Sequence, residues 1–419
     1  MGFQFAYAIM FALSDPLVDL MNLPSWAKFI NMSLGPIAGF FIQPIIGVYS
    51  DKCKSRYGRR RPFILAGAIS TGIGIIGVFI LKSFYQKMST GVNTFLFLFF
   101  VAWTYFSINC FQGPSRSIIS DILSDNQQEV GNTIVSTMIG LASILPNLLG
   151  GIGYFAADSF IAKKSNEIIL IVGSILIFIT VPITLMSAKE EPFTGIVERK
   201  NFFSQLWHAA SHMPRPMVRV AIAILLSWMA YYNFTFKTTT MMVEEVIKDK
   251  SAGLCFGMLV NAIVNLLSFL YGIVHTKVLT VLGSKNAYTI SHVIMACCLF
   301  ALFFVGNRWI ILCLLAPLGI SCTIFNAVPY SVVGSCAPPE EMGVYMGCIN
   351  SFVVIGQQVA NILNFLVQAI HSALPQSWGL GVNRTYIAFG SIAAIAASVM
   401  SAFIIIPRRD DYCEIHTDE

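Results

Sequence analysis

Again and again along this chain, some twenty residues pass without a single charge, as from Phe63 to Leu81 and from Phe95 to Ser115. An α-helix rises about 1.5 Å per residue, so each such run is long enough to cross the ~30 Å hydrocarbon layer of a bilayer. In lipid every backbone amide must find its partner inside the protein, which leaves helices or a closed barrel. Barrel strands alternate apolar and polar residues, whereas these runs are apolar throughout. The chain is therefore expected to be an all-α integral membrane protein.

Twelve spans are expected, near 2–22, 26–49, 63–83, 93–122, 131–157, 167–187, 217–236, 253–274, 286–305, 309–331, 342–371 and 385–406. Several exceed twenty residues, which predicts tilted or broken helices. Composition agrees. Charged residues make up 11% of the 419 residues, against about 25% in ordinary soluble domains. That is too little charge to cover a water-exposed surface, which excludes a soluble enzyme, a nucleic-acid-binding module and a disordered scaffold. The first span carries Asp15 and Asp19 with no basic segment before it, so it reads as a span rather than a cleavable signal. Most of the ten cysteines sit in apolar runs without metal-binding spacing and read as small buried hydrophobes. No GxxxxGK[ST] loop, HExxH helix or nucleophile–base pattern occurs. No metal, cofactor, ATP-driven step or enzymatic activity is expected.

Basic residues set the orientation. Six of them crowd into residues 50–62, and short loops rich in lysine and arginine stay cytoplasmic. Both termini then lie in the cytoplasm. The longest internal loop, 188–216, is also cytoplasmic and carries Phe203, Leu206 and Trp207 at helical spacing, as in an amphipathic helix at the membrane surface. It divides the chain into an N-terminal half, 1–187, and a C-terminal half, 217–406, followed by a cytoplasmic tail, 407–419. Six spans plus six is the layout of the major facilitator fold. Such a chain is expected to work as a monomer surrounded by lipid, in the plasma membrane or a vacuolar or vesicular membrane.

The loop after the second span reads Gly47-Val-Tyr-Ser-Asp51-Lys-Cys-Lys-Ser-Arg56-Tyr-Gly58-Arg59-Arg60-Arg61-Pro62. An acid closing one helix can pair with arginines opening the next. Asp51, Arg56, Arg59 and Arg60 are the expected inner-gate residues. Together with Gly35-Pro36, Gln43-Pro44, Phe111-Gln112-Gly-Pro-Ser-Arg116 through Asp121, Gly131-Asn132 and Gly343-Val-Tyr-Met-Gly through Asn350 and Gln357, this string resembles the glycoside–pentoside–hexuronide:cation symporters. Within that family it looks most like the sucrose transporters of plants and their animal relatives, over nearly the whole chain. The resemblance implies uptake of sucrose or a related glycoside coupled to protons. It also implies that Asp121 carries the proton and that Arg116 supports coupling or substrate.

Charged side chains within spans cost about 2.5–3.5 kcal/mol on insertion scales, so they are functional candidates. A buried carboxylate holds its proton more readily than one in water, which suits proton coupling. Asn109, Gln112 and Arg116 share one helical face, while Asp121 does not face Arg116. Sugars need many neutral hydrogen-bonding groups. Asn350 and Gln357, seven residues apart on one face of span eleven, are the first candidates, followed by Gln4, Gln112 and Asn147. The sequence departs from the sugar-transporter pattern twice. Span one gains Asp15 and Asp19, and span seven reads Phe236-Lys237-Thr-Thr-Thr where the resemblance expects two acids. An outer-gate pair between Asp15 or Asp19 and Lys237 is therefore expected. The competing readings are an uncoupled facilitator, a transporter of another solute, and a non-transporting sensor on the same scaffold.

Overall fold

The computed structural model describes residues 2–160, 164–190, 192, 202–373 and 381–404. Those residues form fourteen α-helices and no strand. The first six are α1 (Gly2–Leu20), α2 (Ser25–Asp51), α3 (Arg61–Phe84), α4 (Thr90–Ile122), α5 (Asp125–Ile152) and α6 (Ser165–Ser187). A short helix, α7 (Phe202–Ser211), follows. Then come α8 (Arg215–Met241), α9 (Lys250–Leu282), α10 (Ser284–Ala301), α11 (Arg308–Leu315), α12 (Leu318–Cys336), α13 (Met342–Ala373) and α14 (Val382–Ser401). Ten segments among the described residues are long and apolar enough to cross a membrane. With α1 and α6 they give twelve spans, six on each side of α7.

Local signals set the helix ends. Ser89, Asp249 and Asn307 cap α4, α9 and α11, each accepting from a backbone amide of the first turn. Pro62 and Pro216 open α3 and α8, where a missing N–H costs nothing. Gly283, at φ +74°, separates α9 from α10. The run near 309–331 is one span broken into α11 and α12 at Pro317, which cannot donate to the helical ladder. The span expected from 131 begins earlier, at Asp125, because a polar first turn extends α5 beyond its apolar core.

The chain forms two packed units. Unit 1 comprises Met1–Ser124, Asn166–Met213 and Ala337–Ser351. There α4 packs on α2 and α3, and α1 leans on α2, α3 and α4. Helix α7 lies against α2, with the Lys52 ammonium donating to Gln205 Oε1, while Trp207 projects outward at 75% exposure. Unit 2 comprises Asp125–Ser165, Pro214–Cys336 and Phe352–Glu419. Its main pairings are α5 with α9, α8 with α14, and α10 with α14.

Helices in lipid gain little from hiding apolar surface from one another, so close backbone approach matters more. The contact of α9 with α12 illustrates this. A Cβ added to Gly319 would sit 2.2 Å from the Val264 carbonyl oxygen and 2.7 Å from the Ser268 nitrogen. Backbone on the opposite helix cannot step aside as a side chain can. Gly319→Ala is expected to lower stability by about 1–3 kcal/mol, read as a fall in melting temperature of the purified protein. Gly72→Ala, facing open space, is expected to leave it unchanged.

Candidate functional site

The loop from α2 to α3 builds a compact charged centre in unit 1. Asp51, the last residue of α2, is 2% exposed. Its Oδ1 accepts from the Gly343 amide at 2.9 Å and its Oδ2 from the Val344 amide at 3.0 Å, both in the first turn of α13. A helix N-terminus leaves its first amides without internal partners and carries partial positive charge. A carboxylate placed there satisfies both. The fit needs small residues on both sides, since a Cβ on Gly47 would lie 2.3 Å from the Gly343 carbonyl oxygen. A Cβ on Gly343 would lie 2.6 Å from Arg60 Nη1.

Arg60, wholly buried, binds the cluster together. Its Nη2 lies 2.5 Å from Asp51 Oδ1 and its Nε donates to Asp121 Oδ2 at 2.8 Å. Its Nη1 donates to Ser50 Oγ at 2.6 Å. Burial works against its charge, but the Asp51 and Asp121 carboxylates more than offset this and raise its pKa. Arg59 reaches Asp121 Oδ1 at 3.1 Å and the Pro339 carbonyl oxygen at 3.0 Å. Arg56 stays outside the cluster, lying over the neighbouring Tyr57 ring and donating to its hydroxyl. The structure thus brings Asp51, Arg59, Arg60 and Asp121 together, and leaves Arg56 at the solvent edge.

Glu190, just beyond α6, was not singled out by the sequence. It accepts from the Arg60 amide at 2.7 Å and from the Arg61 amide at 3.2 Å, capping α3 from another segment. Gly58 makes room for it by adopting φ +104°, a conformation natural to glycine. The available signal was an acid following a span on the side that carries the basic loop. Burial raises the Glu190 carboxyl from its ordinary 4.5, against the two amides that stabilise its charge.

A second group of polar residues lines α2 and α4. Gln43 Nε2 donates to Asn109 Oδ1 at 2.7 Å and to Gln112 Oε1 at 2.9 Å. Gln112 and Gln4 are half-buried, and Arg116 is buried on the same α4 face as Asn109 and Gln112. Tyr7 and Tyr105 approach within 6.3 Å between ring centroids. Gln43 joins this group although the sequence offered it only as part of a family string. Two other candidate amides are engaged with backbone carbonyls. Asn350 donates to the Gly39 carbonyl oxygen at 3.1 Å, and Asn147 to the Ser143 carbonyl oxygen one turn back at 2.8 Å. Gln357 is half-buried on α13.

In unit 2 the Lys237 ammonium lies 5.6 Å from the Tyr386 ring centroid, in a cation–π contact. The side chains of Asp15 and Asp19 lie outside the described residues. Two acids do stand beyond α8. Glu245 accepts from the Asn383 and Arg384 amides, at 2.5 and 3.1 Å, and Glu244 from the Asn383 side chain at 2.9 Å. Asn383 is thus buried, with both its backbone and side-chain amides engaged at the start of α14.

The sequence matches the family described as Major Facilitator Superfamily over residues 2–361. It is 22% identical to sucrose transport protein SUC4 of Arabidopsis thaliana, over 86% of this chain and 81% of that protein. It is 25% identical to a general alpha-glucoside permease of Schizosaccharomyces pombe, over 57% of this chain and 46% of that protein. Among solved structures it is similar to FucP in the outward conformation, a Major Facilitator Superfamily transporter, with a TM-score of 0.64 and 12% identity over 96% of this chain and 98% of that one. A bacterial homologue of the iron transporter ferroportin gives a TM-score of 0.66 at 11% identity over 96% of each chain. At such identities the structural likeness speaks for the fold.

Two measurements check the charged centre. Arg60→Ala leaves the buried Asp51 without its ion-pair partner and Asp121 with Arg59 alone, and is expected to cost about 3–5 kcal/mol, whereas Arg56→Ala, at an exposed edge, should change stability by less than about 1 kcal/mol; thermal unfolding of both variants decides. For Glu190 the folded carboxyl binds its proton at a higher pH than the unfolded one, so it adds a fall in stability as pH rises between those two values. Unfolding of Glu190→Gln across that acidic window should lack this component.

Proposed function

Because the chain belongs to the Major Facilitator Superfamily, we propose that this multi-pass transporter moves a sugar, sucrose or a related glycoside, together with protons. The observation that carries the cargo is the amide group that Gln43 forms with Asn109 and Gln112, on the α4 face that also bears Tyr105, whose ring centroid lies 6.3 Å from that of Tyr7. Neutral donors and acceptors next to aromatic rings suit a hydroxyl-rich, uncharged solute better than an ion. Gln4, Gln112, Asn147, Asn350 and Gln357 are the residues assigned to substrate. The names of the relatives, a sucrose transport protein and an alpha-glucoside permease, support the same cargo.

Transport follows from alternating exposure of a site near the bilayer midplane by two six-helix halves, 1–187 and 217–406, with the 188–216 linker and both termini in the cytoplasm. The charged centre acts as an inner latch. Asp51 holds the first turn of α13 by its amides, and Arg60 holds Asp51. Asp121 pairs with Arg59 and Arg60, so a proton on Asp121 would weaken the hold on Arg60 and loosen the latch. Arg116, on the same helix, tunes that step. Lys237 with Asp15 or Asp19 forms the outer counterpart. The protein works as a monomer in a plasma, vacuolar or vesicular membrane.

A second reading, uncoupled facilitation, draws on one observation: span seven carries threonines at both positions where the resemblance expects acids, with Lys237 beside them. Proteoliposomes loaded with the purified chain separate the two. Labelled sucrose or maltose should accumulate only under an inward proton gradient, and Asp121→Asn should abolish accumulation. Uptake that ignores the gradient would favour the facilitator, and unchanged accumulation by the variant would remove Asp121 from the coupling step.

A further inference from the structure

Among the described residues, the middle of unit 2 holds two buried polar atoms with no protein partner, Nε2 of His292 and Nε1 of Trp228. His292 lies halfway along α10 and is fully buried. Its Nδ1 is 2.9 Å from the Tyr288 carbonyl oxygen and 3.1 Å from Ser291 Oγ, whose own proton goes to that carbonyl at 2.8 Å. A carbonyl only accepts, so in the neutral ring the proton sits on Nδ1 and Nε2 is left as an acceptor. The imidazole lies flat against Tyr288, with centroids 4.5 Å apart and planes 3° from parallel. The Tyr288 hydroxyl is in turn fixed by Ser227 Oγ at 2.7 Å. The ring is therefore held in one orientation by contacts that leave Nε2 unused.

Phe325 links the two orphaned groups. Its centroid is 6.3 Å from that of His292 and 5.4 Å from that of Trp228. Trp228 stands halfway along α8, and its indole N–H can only donate. Leaving a buried polar group unsatisfied is costly, so an acceptor and a donor kept beside one aromatic ring need an explanation. Hydroxyl groups serve both, donating to the imidazole nitrogen and accepting from the indole N–H. Aromatic walls add an apolar surface for the C–H face of a sugar ring. Their position halfway along α8 and α10 matches the midplane depth at which transporters of this layout hold cargo.

We propose that Trp228, His292 and Phe325 form an aromatic subsite that takes one hydroxyl-bearing ring of the transported glycoside. The assignment rests on the sugar reading given above. Enclosed water could supply the same hydroxyl chemistry, and the test separates the two sources.

Equilibrium binding of labelled sucrose and maltose is measured on the full chain in nanodiscs, alongside melting temperature. His292→Asn keeps an amide donor near the Nδ1 position and removes the acceptor at Nε2; Trp228→Phe removes the indole donor. Each is expected to weaken sugar binding by about tenfold or more, with His292→Gln, whose carbonyl oxygen reaches the Nε2 position, recovering part of the loss. Wild-type affinity in His292→Asn and Trp228→Phe overturns the proposal while leaving the sugar reading intact. A lowered melting temperature with unchanged affinity assigns the two groups to enclosed water and overturns it as well. Failure of the wild-type chain to bind either sugar overturns the subsite and the sugar reading together.

Discussion

A buried carboxylate set against the open end of a helix is the interaction on which unit 1 depends. Asp51 closes α2 and receives the Gly343 and Val344 amides of α13. Hydrogen bonds to charged groups contribute about 1.5–3 kcal/mol each, roughly twice a neutral bond. The same device recurs. Glu190 receives the Arg60 and Arg61 amides at the start of α3, and Glu245 those of Asn383 and Arg384 at the start of α14. Neither α3 nor α14 has a side-chain cap of its own. Each borrows its cap from a segment distant in sequence, so helix termination and tertiary packing become one event.

Arg60 turns one of these caps into a network. Alone, Asp51 would be a buried charge shared only with amide dipoles. With Arg60 between Asp51 and Asp121, and Arg59 on the far side of Asp121, two acids and two bases close on one another. A buried ion pair adds little net stability over an apolar pair of the same shape, but breaking it by removing one partner is costly. That asymmetry suits the inner latch proposed for this centre, whose task would be to be either fully made or fully released.

Much of the fold is legible in the sequence because lipid is an uncompromising solvent. The twelve apolar runs had to become spans, and their excess length already called for tilted or broken helices. The charged loop was equally legible, since Asp51 and Arg60 carry a pairing that their order already suggests. Other features are decided by tertiary packing rather than by the local sequence. Nothing in the neighbourhood of Asn350 foretells that its amide donates to the Gly39 carbonyl oxygen. Nothing near Arg56 foretells that it turns to its own Tyr57 while Arg59 and Arg60 turn inward. Asp121 looked like a lone charge in a span, and its ion pairs to Arg59 and Arg60 emerge only when α4 ends beside the loop. Glu190 was hidden in the same way, because a cap supplied from outside a helix leaves no mark at the helix start.

What Asp51 grips on α13 is backbone, not side chain. The hold is thus indifferent to most of the spelling of that first turn. Position 343 is restricted by space, since Arg60 and Asp51 already fill the volume a side chain would need. Position 344 must offer an N–H, which only proline lacks, and its side chain, 4% exposed, must also suit the packing around it. The grip of Asp51 itself asks no more of position 344 than that N–H, so an interaction essential to the architecture leaves almost no trace of its own there for a comparison of sequences to find.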